Sequence, residues 1–205
     1  MINNLLLSTD VYKMGHMQQY APGINKVYSY LCARKKGHDV VNFGLQYYLK
    51  EYLTKEVTYA KTMEFFSIYE NILGKIPREV EDKVWSLCHL GYIPLRIKQI
   101  TEGTIVPSGN ILMSVTNTHP DFAWLVGFFE SLLLKVWNTC TVATYSHKLR
   151  ELVTKYATLT CDDDNHLPFA VHDFGYRGVS SEETALLSGM AHLVNFLGTD
   201  TVLGV

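Results

Sequence analysis

The chain is 205 residues long, with 47% hydrophobic and 19% charged side chains, enough apolar material for a sizeable core and too much for an intrinsically disordered chain. Its 18 basic and 20 acidic side chains leave a formal net charge of −2. That balance excludes the broad positive footprint of a nucleic-acid binder or of a protein held on an anionic membrane.

The four cysteines, Cys32, Cys88, Cys140 and Cys161, lie far apart, with no CxxC and no Cys/His pairing at zinc spacing. Reduced thiols in a cytoplasmic protein are the expectation. The N-terminus, Met1 to Asp10, has no basic region and too short an apolar run for a secretory leader. Phe122 to Phe129 is the most apolar later stretch, but Glu130 and Lys135 interrupt it well short of the ~20 residues that cross a bilayer. The expected location is therefore the cytoplasm, with neither nucleic acid nor membrane as a partner.

In chain order, 10–20 is mixed polar and aromatic, Ala21-Pro22-Gly23 signals a turn, and Lys26 to Leu31 alternates as a strand does. Leu45, Tyr48, Leu49 and Tyr52 fall at helical spacing within 43–53. The pattern predicts further helices over 58–73, closed by Gly74 and followed by Pro77, and over 79–90, stopped by Gly91. Residues 95–100, 104–106 and 111–115 predict a small antiparallel element around the turn Pro107-Ser108-Gly109-Asn110. An apolar helix is expected over 121–137, with Glu130 as a satisfied buried acid, then an amphipathic helix over 144–158. Trp85, Trp124 and Trp137 are expected in the core. The polar loop 161–165 is the candidate boundary between domains, 1–166 and 167–205.

Beyond that loop the pattern becomes α/β. Phe169 to Asp173 reads as a short buried strand and Val194 to Thr199 as a second one. Between them, Ser180-Ser181-Glu182-Glu183 has capping-box form, with Ser180 placed to accept from the Glu183 backbone N–H, and a helix runs on to about His192. Strand, helix and strand in so short a span imply a parallel pair joined by a crossover. Two strands cannot bury both faces of a sheet, so the unit is expected to need more chain.

The segment His172-Asp173-Phe174-Gly175-Tyr176-Arg177-Gly178-Val179-Ser180-Ser181 holds the most chemistry. It sets an aromatic ring, a guanidinium and two glycines between a strand end and a helix N-terminus. Unpaired N–H groups and a partial positive charge suit that terminus to phosphate, and the arginine fork binds paired phosphate oxygens. The alternative is that Gly175 and Gly178 only permit a tight turn while Arg177 pairs with a surface acid. The Asp-Phe-Gly within it is not a kinase motif, because no glycine-rich loop, lysine strand or His-Arg-Asp loop precedes it. His16, His89, His119, His147 and His192 are scattered, and none is assigned to a metal.

Taken with Glu183-Thr184-Ala185, Ala191 to Phe196 and Gly198-Thr199-Asp200-Thr201, this segment resembles the nicotinamide phosphoribosyltransferases. So do Thr9 to Lys13, His16, Gln19-Tyr20, Lys26 to Tyr30, Phe43 to Tyr47, Glu102-Gly103, Pro107 to Asn110 and Thr141 to Thr144. These blocks stand in family order over nearly the whole chain. The resemblance implies transfer of a phosphoribosyl group from phosphoribosyl pyrophosphate to nicotinamide, giving nicotinamide mononucleotide and pyrophosphate. It also implies an α+β N-terminal domain (1–166), followed over 167–205 by the first strand-helix-strand of an incomplete type II phosphoribosyltransferase α/β barrel.

By the same resemblance, Phe174 stacks on one face of the nicotinamide ring and Tyr12, lent by a partner subunit, covers the other. Arg177 binds phosphate, Asp200 faces the carboxamide, and Asp10 lies nearby. The pyridine becomes a cation during the reaction, and two aromatic faces stabilise a cation by ~0.5–2 kcal/mol each. Asp200 would accept from a carboxamide NH2 and repel a carboxylate, favouring nicotinamide over nicotinate. The residue could instead cap a helix, and the two roles are compatible. Mg²⁺ is implied with phosphoribosyl pyrophosphate, its ligands outside this chain, and ATP as an activator. A homodimer, or a complementary C-terminal polypeptide, is the implied partner, and little or no activity is implied for this chain alone. A non-catalytic remnant that pairs with a separate polypeptide, and a nicotinate-specific relative, are the alternatives.

Overall fold

The structure, a computed structural model, describes residues 4–205. The reading of a leaderless N-terminus rests partly on residues 1–3, outside that range. In chain order the elements are α1 (Val11–His16), β1 (Tyr28–Cys32), β2 (Val40–Val41), α2 (Leu45–Tyr48), α3 (Tyr59–Leu73), α4 (Arg78–Leu90), β3 (Leu95–Gln99), β4 (Ile105–Val106), β5 (Ile111–Asn117), α5 (Trp124–Phe128), α6 (Glu130–Leu133), α7 (Val136–Thr160), β6 (His172–Asp173), α8 (Glu182–Leu193) and β7 (Gly198–Thr199). Helix and sheet are thus mixed, as an α+β chain requires. The described residues group into two compact units, one made of 4–31, 45–99 and 113–134, the other of 32–44, 100–112 and 135–205.

The first unit carries most of a three-stranded sheet in the order β1-β5-β3, with β3 and β5 antiparallel and Ile97 opposite Val115. Asn117 ties its end. The buried amide oxygen accepts from the Val27 N–H at 2.9 Å, and its nitrogen donates to the Asn25 and His119 carbonyls. The core is aromatic: the Phe65 ring lies 6.4 Å from Phe128, and Phe66 meets Trp85 edge-on at 5.6 Å. Trp124 is fully buried, whereas Trp85 and Trp137 are only partly so. The predicted helix over 121–137 is broken into α5, α6 and the start of α7. At the first break Thr9 donates its hydroxyl to the Phe128 carbonyl at 2.6 Å, competing for an oxygen the helix would use.

Glu130 corrects another expectation. Its side chain is 50% exposed, and the buried member of its pair is Lys13, 7% exposed. Burial alone would lower the Lys13 pKa, but the hydrogen bond and charge of Glu130, joined by Tyr12, hold it above the usual lysine value.

In the second unit β2 pairs antiparallel with β4, Val40 opposite Val106, whereas the sequence pattern groups 104–106 with the strands at 95–100 and 111–115. The helix predicted from 144 begins at Val136 and runs 25 residues. Its threonines satisfy themselves within it, Thr141 donating to Trp137 O and Thr144 to Cys140 O, both at 2.6 Å. Gly44 has φ +100°, and a Cβ there would collide with Thr139. Only glycine lets this backbone lie against α7, where Thr139 donates to the Phe43 carbonyl at 2.6 Å. Val41, Ala143 and Ala191 form a small core with Phe43, Val142 and Val194 packed on it.

Candidate functional site

The site grows from the parallel pair β6–β7, in which His172 lies opposite Gly198 and Asp173 opposite Thr199. Both strands are two residues long, shorter than predicted: 167–169 form a 3-10 turn and 194–197 lead into β7 without pairing. So short a ladder needs side-chain help, and Asp173 supplies it. One carboxylate oxygen accepts from the Gly175 N–H at 2.9 Å, the other from the hydroxyls of Thr199 at 2.7 Å and Thr201 at 3.2 Å. Burial pushes the Asp173 pKa up, but these three hydrogen bonds, with the charge of His192, outweigh it and hold the carboxyl below its ordinary value. The Asp173 carbonyl also accepts from the Asp200 N–H at 2.8 Å.

Helix α8 crosses over from β6 to β7. Its N-cap is Ser181, whose hydroxyl accepts from the Thr184 N–H at 3.1 Å. The predicted cap, Ser180, is displaced by one residue, because Ser181 has the extended backbone (φ −153°, ψ 157°) that aims a cap at the third helical N–H. Near the other end, the buried His192 meets the Ser146 hydroxyl of α7 through Nδ1 at 2.9 Å and the Val171 carbonyl through Nε2 at 3.2 Å. At Gly189, a Cβ would press on Thr201 and Thr199, so α8 sits close over the chain that follows β7.

This scaffold brings three of the five predicted site residues to the C-terminal ends of two adjacent parallel strands. Phe174 directly follows β6 and opens the 3-10 turn Gly175–Gly178; the residue is 59% exposed. Arg177 lies in the same turn, exposed, and no carboxylate among the described residues pairs with it, contrary to the surface-pair alternative. Asp200 directly follows β7. The short 3-10 helix Val202–Gly204 takes Thr201 as its N-cap, so Asp200 is not a capping residue. Asp10 and Tyr12 belong to the first unit. Tyr12 is 57% exposed, its ring 5.1 Å from the Lys13 ammonium, and Asp10 accepts a hydrogen bond from Ser131.

Two residues of the site escaped the reading by residue type. His172 Nε2 donates to the Asp200 carboxylate at Oδ1, 3.0 Å away, while its ring lies 4.9 Å from that of Phe174. Asp173 is the strand-end clasp just described. The adjacent His-Asp and the Thr-Asp-Thr run were the available signals, but only the parallel register puts them side by side. Among the described residues no group of three or more His, Cys, Asp or Glu side chains is arranged to hold a metal ion, and no helix is long and apolar enough to cross a membrane.

Comparison with known proteins decides the family. Residues 4–97 match the family model described as nicotinamide phosphoribosyltransferase, N-terminal domain, and residues 169–205 match that of the nicotinate phosphoribosyltransferase family. The chain is 40% identical over 209 residues to the nicotinamide phosphoribosyltransferase of Xanthomonas campestris and 31% identical over 220 residues to that of Acinetobacter baylyi. The chain belongs to the nicotinamide phosphoribosyltransferase family. Each alignment covers 98% of this chain but 43% of the relative, so the chain spans under half the length of these phosphoribosyltransferases. Its fold is similar to that of human nicotinic acid phosphoribosyltransferase, with a TM-score of 0.68 at 18% identity, over 96% of this chain and 36% of that one.

Proposed function

We propose that this chain is the N-terminal part of a nicotinamide phosphoribosyltransferase in NAD salvage, joining nicotinamide to phosphoribosyl pyrophosphate with release of pyrophosphate. The observation that carries the proposal is the set of three groups at the β6–β7 ends: an open aromatic face, an unpaired guanidinium and a carboxylate. Ligands of α/β sheets bind where strands end at their carboxyl termini. Phe174 stacks on the pyridine, whose positive charge grows as its nitrogen bonds to the sugar. Arg177 meets the negative charge that builds on the departing pyrophosphate. Asp200 accepts from the carboxamide NH2, and the same carboxylate repels nicotinate.

Tyr12 and Asp10 complete the base pocket from a second copy, which makes the working form a homodimer or an assembly with a complementary C-terminal polypeptide. Residues 1–166 then form the N-terminal domain and 167–205 open the α/β barrel. Mg²⁺ enters chelated by phosphoribosyl pyrophosphate, ATP acts as an activator, and the location is cytoplasmic.

The test is nucleotide formation from nicotinamide and phosphoribosyl pyrophosphate, by the chain alone and with a polypeptide carrying the remaining barrel strands. Phe174→Ala is expected to raise the KM for nicotinamide, and Arg177→Ala to lower kcat/KM for the diphosphate by about tenfold or more. The absence of nucleotide in both arms, or variants that act like the wild type, would remove the reading. Nicotinate in place of nicotinamide tests the neighbouring specificity that the second family model raises.

A further inference from the structure

The structure assigns a positioning role to His172: it holds the Asp200 carboxylate and the Phe174 ring in the orientation in which they read a pyridine carboxamide. This inference rests on the nicotinamide reading and adds a residue to it. His172 occupies the first position of β6 with Gly198 directly across the ladder. Any Cβ at Gly198 would collide with the imidazole, so the ring packs against the neighbouring strand where only glycine makes room. From there Nε2 reaches Asp200 Oδ1 at 3.0 Å, across 28 residues of sequence. Asp200 is held at its other end by its own N–H on the Asp173 carbonyl. No group among the described residues bonds the second carboxylate oxygen.

Carboxylate oxygens only accept when ionised, so the Asp200 pair requires a proton on His172 Nε2. With one oxygen engaged by the imidazole, the free oxygen is the one that can take the carboxamide NH2. The imidazole also packs against the Phe174 ring, 4.9 Å between centroids, and restricts the turning of an otherwise open side chain. In the free chain the pair is partly wetted, with side chains 37% and 55% exposed, and contributes little. A base stacked on Phe174 excludes that water, and the hydrogen bond then matters most with the ligand in place.

Nuclear magnetic resonance titration of the chain with nicotinamide and with nicotinate, in separate arms, tests the inference. His172→Ala is expected to weaken nicotinamide by about fivefold or more, a lost charged hydrogen bond, and to narrow the preference over nicotinate. His172→Gln, whose amide N–H can stand where Nε2–H stood, is expected to restore most of the difference. The inference is overturned if His172→Ala leaves the ratio unchanged, or weakens both bases equally without recovery in the glutamine variant. A wild type that binds neither base removes the functional reading and this inference together, a result distinct from either of those. A second measurement needs no ligand and no His172 variant: the imidazole ¹⁵N spectrum of the wild type should show His172 protonated at Nε2 and shift in Asp200→Ala. An unmoved His172 signal contradicts the pair.

Discussion

Asp173 and Lys13 are both ionisable groups drawn partly out of water, and their partners differ in kind. Asp173 is held by neutral donors that have no other use, so Asp173→Ala strands three of them and should cost about 1–3 kcal/mol, read from urea unfolding. Because its folded pKa lies below the unfolded value, its contribution is complete above the ordinary carboxylate pKa. It is lost as pH falls through the lower, folded value; the alanine variant should lack that part of the acid limb. Lys13 has the opposite sign: its stabilisation is present below the ordinary lysine pKa and fades as pH rises through the raised one. The Lys13–Glu130 pair is also unequal. Lys13→Met frees a half-exposed carboxylate that water can take, for about 1 kcal/mol or less. Glu130→Ala leaves a buried ammonium without its carboxylate, with Tyr12 beside it, and should cost more. Sequence alone pointed at the wrong member, since an acid in an apolar run is conspicuous and a lysine in a mixed one is not. Phe174, Arg177 and Asp200 were legible because their types and neighbours suit the chemistry. His172 was not, because its role depends on Gly198 across the ladder.

At the scale of elements, helix ends followed their glycines and caps. Gly74 and Gly91 close α3 and α4 as their pattern indicates, both with positive φ, and Thr58 caps α3 through the Lys61 N–H. Where two candidate caps adjoin, the pattern could not choose. Ser181→Ala should lower stability by about 1 kcal/mol while Ser180→Ala leaves it unchanged, a pair that thermal melts can separate. The β6 and β7 strands were overextended because apolar residues at 169–171 and 194–197 look like strand whether they pair or only pack. The link of β2 to β4 went unread, since two-residue strands have no periodicity to detect. Gly44 lies at another such join. Gly44→Ala combines an unfavourable φ with a collision on Thr139, and should reduce the melting temperature by several degrees, roughly the effect of 1–3 kcal/mol.

For the molecule as a whole, the order of motifs spoke more clearly than any element. Blocks from Thr9 to Thr201 stand in the family's order, and the family models match at both ends, 4–97 and 169–205. The parallel crossover was legible for the same reason that it is stable: a strand, a capped helix and a second strand in so short a span have few other ways to pack. Ligand linkage offers a global check on the site. Nicotinamide at 100 times its dissociation constant should stabilise the chain by about 2.7 kcal/mol, and Phe174→Ala should abolish that thermal shift.

His192 gives the second unit a built-in reporter. A carbonyl can only accept, so the contact with Val171 places an imidazole proton on Nε2, while Nδ1 meets the Ser146 hydroxyl. That proton is shielded from solvent, in a side chain stacked on Phe196 with 5.0 Å between ring centroids. It should exchange slowly and resonate far downfield, as a single line that vanishes when α7, α8 and the approach to β6 come apart.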